Sequence, residues 1–182
     1  MNGLSLVAAD IGNAYLNAPN REKTWTIAGP EFGEDAGTVY LVVRALYGQK
    51  SAGAAWRAFF AQILTVELGF IPSRADPDVY YRKAVKPDGT QYYEYLLCYV
   101  DDILVASIDT EPIMETLKKR FRLKEDSLGA PTRYLGAKVQ VFTDATGYEC
   151  YALSSDDYVS TAVKEVEEEL SLIHISEPTR PY

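Results

Sequence analysis

Two adjacent carboxylates, Asp101 and Asp102, stand between the apolar, β-prone runs Tyr95 to Cys98 and Ile103 to Ala106, inside the tetrapeptide Tyr99-Val100-Asp101-Asp102. Strands bury side chains whereas tight turns tolerate Asp, so the segment reads as a hairpin with the acids at its tip. Like charges held side by side repel, and a cation relieves them. Hard divalent ions such as Mg²⁺ do this with one or two protein carboxylates and substrate phosphates. Taken alone, the pair is better explained as a solvated turn, because turn chemistry favours Asp. Asp10 adds to it, since it ends the short apolar run Leu4 to Ala9, which reads as a buried strand delivering a carboxylate at its C-terminal end. Were that strand to lie beside the hairpin, three carboxylates would come together, and two divalent ions about 4 Å apart would serve phosphoryl or nucleotidyl transfer.

The remaining composition narrows the alternatives. The single histidine, His174, has no partner for a triad or a histidine metal cluster, which argues against triad hydrolase chemistry. A net charge of -8 argues against binding by simple phosphate neutralisation. The acid surplus gathers in Glu165, Glu167, Glu168 and Glu169, a solvated helix face, whereas Lys118, Lys119, Arg120, Arg122 and Lys124 form a basic run. Cys98 and Cys150 lack metal-ligand spacing, and neither a disulfide framework nor a zinc knuckle is expected. Two such cysteines fit a reducing intracellular setting, and with no long apolar stretch and no signal-peptide pattern neither a membrane span nor a signal peptide is expected.

The elements that must position these residues follow from periodicity. Leu4 to Ala9, Trp25 to Ile27, Val39 to Val43, Val79 to Arg82, Tyr92 to Tyr99 and Ile103 to Ser107 read as strands, and Lys86-Pro87-Asp88-Gly89 as a turn. From Ala52 to Leu68 the apolar residues Ala55, Trp56, Phe59, Phe60, Ile63, Leu64 and Leu68 recur at helical spacing, with Gly69 as a stop. A second helix is predicted from Glu111 to Phe121, strands around Arg133 to Phe142 and Tyr148 to Leu153, and a last helix, capped by Ser154 or Ser155, to about Leu170. The irregular alternation favours an α+β fold, an antiparallel sheet with helices packed on one face.

Four ordered blocks carry a resemblance. Asp10-Ile11-Gly12-Asn13-Ala14-Tyr15-Leu16, RALYGQKSAGAAWRAFF from Arg44 to Phe60, LLCYVDDILVAS from Leu96 to Ser107 and YLGAKV from Tyr134 to Val139 occur in the order and spacing of reverse transcriptases. Over roughly residues 4 to 160 the chain most resembles copia-type long-terminal-repeat retrotransposon enzymes, parts of a Pol polyprotein. The resemblance implies a palm subdomain with partial fingers and RNA-directed DNA polymerase activity, a nucleotidyl transfer to a primer 3′-hydroxyl. By the same resemblance Asp10, Asp101 and Asp102 are the catalytic acids, and Asp10, Asp101 and the Ile11 carbonyl hold two Mg²⁺ ions, with Mn²⁺ as a substitute. Tyr15 matches the aromatic gate that excludes a 2′-hydroxyl. Gly48, Lys50 and Tyr99 fall at substrate-binding positions, Tyr134, Leu135 and Gly136 resemble the primer grip, and Lys124 is a candidate general acid for pyrophosphate. Trp56 reads as core rather than contact. The implied partners are an RNA or DNA template with its primer, a dNTP and the rest of the polyprotein, its integrase and ribonuclease H, with no membrane. The implied location is a cytoplasmic virus-like particle or the nucleus.

The chain also departs from the pattern. Gln49, Ser51, Gly53 and Ala54 stand where the family usually reads LYGLKQAPRAW, and the nucleic-acid contact that the resemblance implies for an arginine at position 54 is not expected from Ala54. Starting nine residues before Asp10, the chain is expected to lack the upstream basic fingers strands, most of the connection segment and the ribonuclease H domain, which would account for its acidity. The expected organisation is a truncated reverse transcriptase domain over 1–160, the start of a connection helix over 154–169 and an adapter-derived translation product over 170–182, LSLIHISEPTRPY. Two rival readings stay open, an inactive relic or palm-fold interaction module and another palm enzyme such as a nucleotide cyclase.

Overall fold

The computed structural model describes residues 3–173, so His174 and most of the 170–182 segment lie outside the described residues. The chain divides into two compact units, one of residues 3–130 and one that begins at Pro131.

The first unit is built on a five-stranded antiparallel sheet. Its strands are β1 (Ser5–Asp10), β4 (Ile71–Pro72), β5 (Val79–Val85), β6 (Gln91–Tyr99) and β7 (Asp102–Ser107), in the spatial order β1-β7-β6-β5-β4. β1, first in sequence, therefore pairs with β7, the last of the five. Between β1 and β4 come the short helix α1 (Ala14–Asn17), a two-stranded ribbon of β2 (Trp25–Ile27) and β3 (Val39–Leu41), and α2 (Ala52–Val66). The ribbon's loop holds a 3-10 turn over Pro30–Asp35. After β7 comes α3 (Glu111–Arg120).

The core forms where alternate residues of the sheet meet the two longer helices. Val7, Ala9, Leu96, Cys98, Ile103 and Val105 belong to one cluster with Trp56, Phe60, Ile63 and Leu64 of α2 and Ile113, Met114 and Leu117 of α3. The buried residues of α2 repeat every three or four positions, which gives it one apolar stripe to bury. Past the end of the helix, Gly69 has φ 70°, which lets the Phe70 N–H turn back to the Leu64 carbonyl at 2.9 Å. At the far end of the sheet from the hairpin tip, Arg82 donates to the Glu94 carboxylate at 2.5 Å and to the Leu68 carbonyl at 2.5 Å, tying β5 to β6 and to the end of α2. Tyr92 and Ser107 donate to the other Glu94 oxygen, at 3.1 and 2.5 Å.

The free edge of β1 is covered by a segment without strand periodicity. Gly12 N–H donates to the Arg122 carbonyl and Lys124 N–H to the Asp10 carbonyl, while Ala8 and Gly129 exchange both their backbone bonds. An unpaired edge would template association, and this segment removes it.

The second unit consists of β8 (Arg133–Tyr134), β9 (Ala137–Thr143), β10 (Glu149–Ser154) and α4 (Asp156–Ile173), with strand order β10-β9-β8. The strand expected over Arg133 to Phe142 is broken into a hairpin at Leu135 and Gly136, whose φ values of 48° and 81° make a two-residue turn. Ser155 stands before α4 and its carbonyl accepts from the Val159 N–H, the Ser154 hydroxyl accepts from the Asp156 N–H, and Arg133 reaches Asp157 at 2.6 Å. Among the described residues no helix is long and apolar enough to cross a membrane.

Candidate active site

The hairpin of β6 and β7 closes at the pair Tyr99 and Asp102, leaving Val100 and Asp101 as a two-residue loop. Val100 has φ 56°, the left-handed region, which is costly for a β-branched residue by about 1–2 kcal/mol. A partner from the core holds it there. Trp56, buried in α2, donates its indole N–H to the Val100 carbonyl at 2.7 Å. The Cys98 thiol donates to the same oxygen at 3.6 Å. Burial first, and then Asp78, Asp101 and Asp102, push that thiol up to about 12, so it remains a protonated donor. Trp56 is thus both the core residue expected from its spacing and the clamp on the tip.

β1 brings the third acid. Asp10 lies opposite Asp102 in the antiparallel register, and the neighbouring bond runs from the Ile11 N–H to the Asp101 carbonyl at 2.8 Å. That bond pattern makes Asp10 and Asp102 a non-hydrogen-bonded pair, the kind that brings opposed side chains closest. The flanking pair Ala9 and Ile103 points into the core, so both acids face the other way. The segment on β1's other edge supplies a cation, because the Lys124 ammonium sits 2.6 Å from Asp10 Oδ2. The Ser127 hydroxyl accepts from the Asp10 N–H at 2.9 Å and holds the backbone in place.

The electrostatics follow from this crowding. Burial first, then Asp101 and Asp10, raise the Asp102 carboxyl above the usual carboxylate range, and Lys124 opposes them. The Lys124 ammonium is raised in turn, chiefly by its hydrogen bond to Asp10. Asp10 Oδ1 is buried without a hydrogen-bond partner. Among the described residues no group of three or more acidic, histidine or cysteine side chains is gathered tightly enough to cage a metal. The donor set nonetheless suits a hard cation, being all oxygen, acidic and short of one partner at Asp10 Oδ1.

Beside the tip lies a cavity of about 180 Å³ lined by Tyr15, Gly53, Trp56, Tyr80, Tyr99 and Val100, among others. Tyr15, in α1, stacks on Tyr47 with ring centroids 4.6 Å apart. A Cβ at Gly53 would stand 3.6 Å from the Tyr15 hydroxyl, an ordinary contact. Gly48 has φ 94° in the turn before α2, and Lys50 is exposed beside it. In the same turn Gln49 Nε2 and Ser51 Oγ are buried without partners at the start of the helix. Tyr99 is exposed at the tip. Tyr134, Leu135 and Gly136 lie in the second unit at the β8–β9 turn, with Tyr134 buried and Leu135 exposed.

Register therefore sets Asp10 against Asp102 and places Asp101 on the adjoining loop. Four features escape the sequence: the Trp56 clamp, the Tyr15–Tyr47 stack, the Ser127 bond and Lys124 as counter-ion to Asp10. Only the basic run around Lys124 offered a signal for any of them.

The family model described as reverse transcriptase (RNA-dependent DNA polymerase) matches residues 2–172. The retrovirus-related Pol polyprotein from transposon RE2 of Arabidopsis thaliana is 30% identical over 121 residues, which cover 64% of this chain and 8% of that protein. The corresponding polyprotein from transposon RE1 of the same plant is 28% identical over 121 residues, with the same coverage of 64% and 8%. The chain thus spans about 8% of the length of these curated relatives.

Proposed function

We propose a function for a chain that belongs to the reverse transcriptase (RNA-dependent DNA polymerase) family: residues 3–130 are the palm, with part of the fingers, of a copia-type Pol polyprotein and hold its nucleotidyl-transfer centre. The observation that carries this reading is the register of β1 on β7, which opposes Asp10 to Asp102 beside the tip residue Asp101 while leaving Asp10 Oδ1 buried and unpartnered. Asp10, Asp101 and the Ile11 carbonyl would hold Mg²⁺ or Mn²⁺, with Asp102 in support. When bound, these ions acidify the primer 3′-hydroxyl and offset the charge of the triphosphate.

The chain's own residues do the positioning. Tyr15, stacked on Tyr47, walls one side of the cavity, and there it would exclude a 2′-hydroxyl and so favour deoxynucleotides. Gly48 admits a close backbone approach, and Lys50, Gln49 and Ser51 offer a positive charge and unpaired polar atoms at the start of α2, where a helix favours anions. Tyr99, exposed at the tip, would pack near the primer terminus, and the Tyr134-Leu135-Gly136 turn would grip the primer strand. Template, primer and dNTP, the integrase and ribonuclease H of the same polyprotein, and a place in a virus-like particle or the nucleus belong to this proposal.

Calorimetric titration of the chain with Mn²⁺ tests it. The parent chain should bind, and Asp10→Asn and Asp101→Asn should each lose that binding; equal binding by all three would remove the metal site. A parent chain with no Mn²⁺ binding would favour the reading of an inactive relic.

A further inference from the structure

We propose that Lys124 is a tethered counter-ion for the acidic face, one that a divalent cation must displace, so that this lysine sets the metal affinity of the site. With the metal reading taken as above, the lysine's placement is what argues for the role. Leu123 bridges Ile11 across the covered edge of β1, and both pack against the core. The next residue, Lys124, is extended, with φ −69° and ψ 128°, and its side chain lies on the face of Asp10 rather than in the core. The Lys124 N–H is fixed to the Asp10 carbonyl at 2.9 Å, and its ammonium reaches Asp10 Oδ2 at 2.6 Å. Asp101 and Asp102 also act electrostatically on this ammonium. The lysine therefore bonds one acid and feels the charge of the other two.

Two details distinguish a removable stand-in from a permanent structural bridge. The lysine satisfies one oxygen of Asp10 and leaves Oδ1 buried and unpaired, so it does not complete the site. Its own side chain is 56% exposed, whereas that of Asp10 is 21% exposed. The ammonium rides on a flexible four-carbon stem and can leave for solvent. The backbone beneath it stays in place through Ser127, the Asp10 carbonyl and the Ala8–Gly129 pair. In the metal-free chain one positive charge relieves the repulsion of opposed like charges, which destabilises a cross-strand pair. A divalent ion entering the same field has to overcome that charge, and its affinity is lowered accordingly.

The test is Mn²⁺ affinity by calorimetry on the full chain, with thermal melts in chelator and in Mn²⁺. Lys124→Met, of similar length and uncharged, should bind Mn²⁺ about two- to fivefold tighter than the parent, the range expected for loss of one partly exposed charge. It should melt lower than the parent in chelator and recover that loss in Mn²⁺. Lys124→Arg, which keeps the charge, should bind as the parent does, and Lys124→Gln repeats the test if the methionine variant folds poorly. Binding by the parent that is lost in Asp10→Asn, with the methionine and glutamine variants binding no tighter than the parent, overturns the counter-ion role and leaves the metal site standing. An absence of binding in the parent and both uncharged variants overturns both.

Discussion

Replacing Trp56 by Phe separates the two tasks of that residue. Phenylalanine keeps an aromatic ring against Phe60, 5.2 Å away and nearly parallel, and against Phe121, 5.4 Å away and edge-on. It deletes the N–H that reaches the Val100 carbonyl at 2.7 Å. Losing that bond costs about 1–1.5 kcal/mol net, at the upper end of the usual range because the surroundings are partly buried. The Cys98 thiol remains as a weaker donor to the same oxygen and keeps the cost from rising further. Removing the five-membered ring leaves a small void, worth about 1 kcal/mol more. The sum is about 2–2.5 kcal/mol, or a fall of about 4–10 °C in melting temperature for a chain of this size. Circular dichroism should record the melt, since the substitution removes a fluorophore. Hydrogen exchange at the Ile11 amide reports the tip separately, because that N–H donates to the Asp101 carbonyl in the loop that Trp56 clamps. Faster exchange at Ile11 together with the stability loss is the expected result. A loss under about 0.5 kcal/mol with Ile11 exchange unchanged would refute the clamp, since a deleted buried hydrogen bond should cost more.

Two further substitutions probe the rest of the unit. Arg82→Met leaves Glu94, whose side chain is only 6% exposed, with neutral donors alone, and should cost about 3 kcal/mol in urea denaturation; a cost below about 1 kcal/mol would mean the pair contributes little. Asp102 titrates above the ordinary carboxylate range in the folded chain, so its contribution to stability is fully present below the unfolded value and lost as pH rises through the folded one. Asp102→Asn should accordingly match the parent at about pH 3 and exceed it at about pH 7.5, and a variant less stable than the parent at the higher pH would contradict the sign.

The legible parts of this fold are those in which local pattern and tertiary need agree. The run Leu4 to Ala9 became β1 with its acid at the end, and the helical spacing from Ala52 onward became α2 with its stop at Gly69. The pairing of β1 with β7 was legible only as a condition, because nothing in either strand's alternation names its neighbour. The site's less legible parts depend on distant partners. Val100 sits in a backbone region that its β-branched side chain resists, and it is the indole from α2 that holds it there. Arg122 to Gly129 alternates neither as a strand nor as a helix, so only the open edge of β1 could show where it goes. Leu135 at positive φ hid a turn inside an apparently continuous strand, although Gly136 beside it was a hint. Lys124 read as one member of a basic run and a candidate general acid, because charge in a sequence carries no record of the partner it will meet.

The place of β1 has a consequence for biosynthesis. Both of its neighbours, β7 on one side and the Arg122–Gly129 segment on the other, follow it by roughly ninety residues or more, and a ribosome working at about 5–20 residues per second takes about 5–20 s to deliver them. Throughout that interval the nascent strand Ser5–Asp10 has two open edges, while α2 and the β5–β6 hairpin can already form behind it. Crowded polysomes would bring several such strands together, each able to pair with its twin. Asp10 closes the apolar stretch with a charge, so the carboxylate proposed to hold a cation in the finished protein also acts as a gatekeeper against aggregation while the chain is being made.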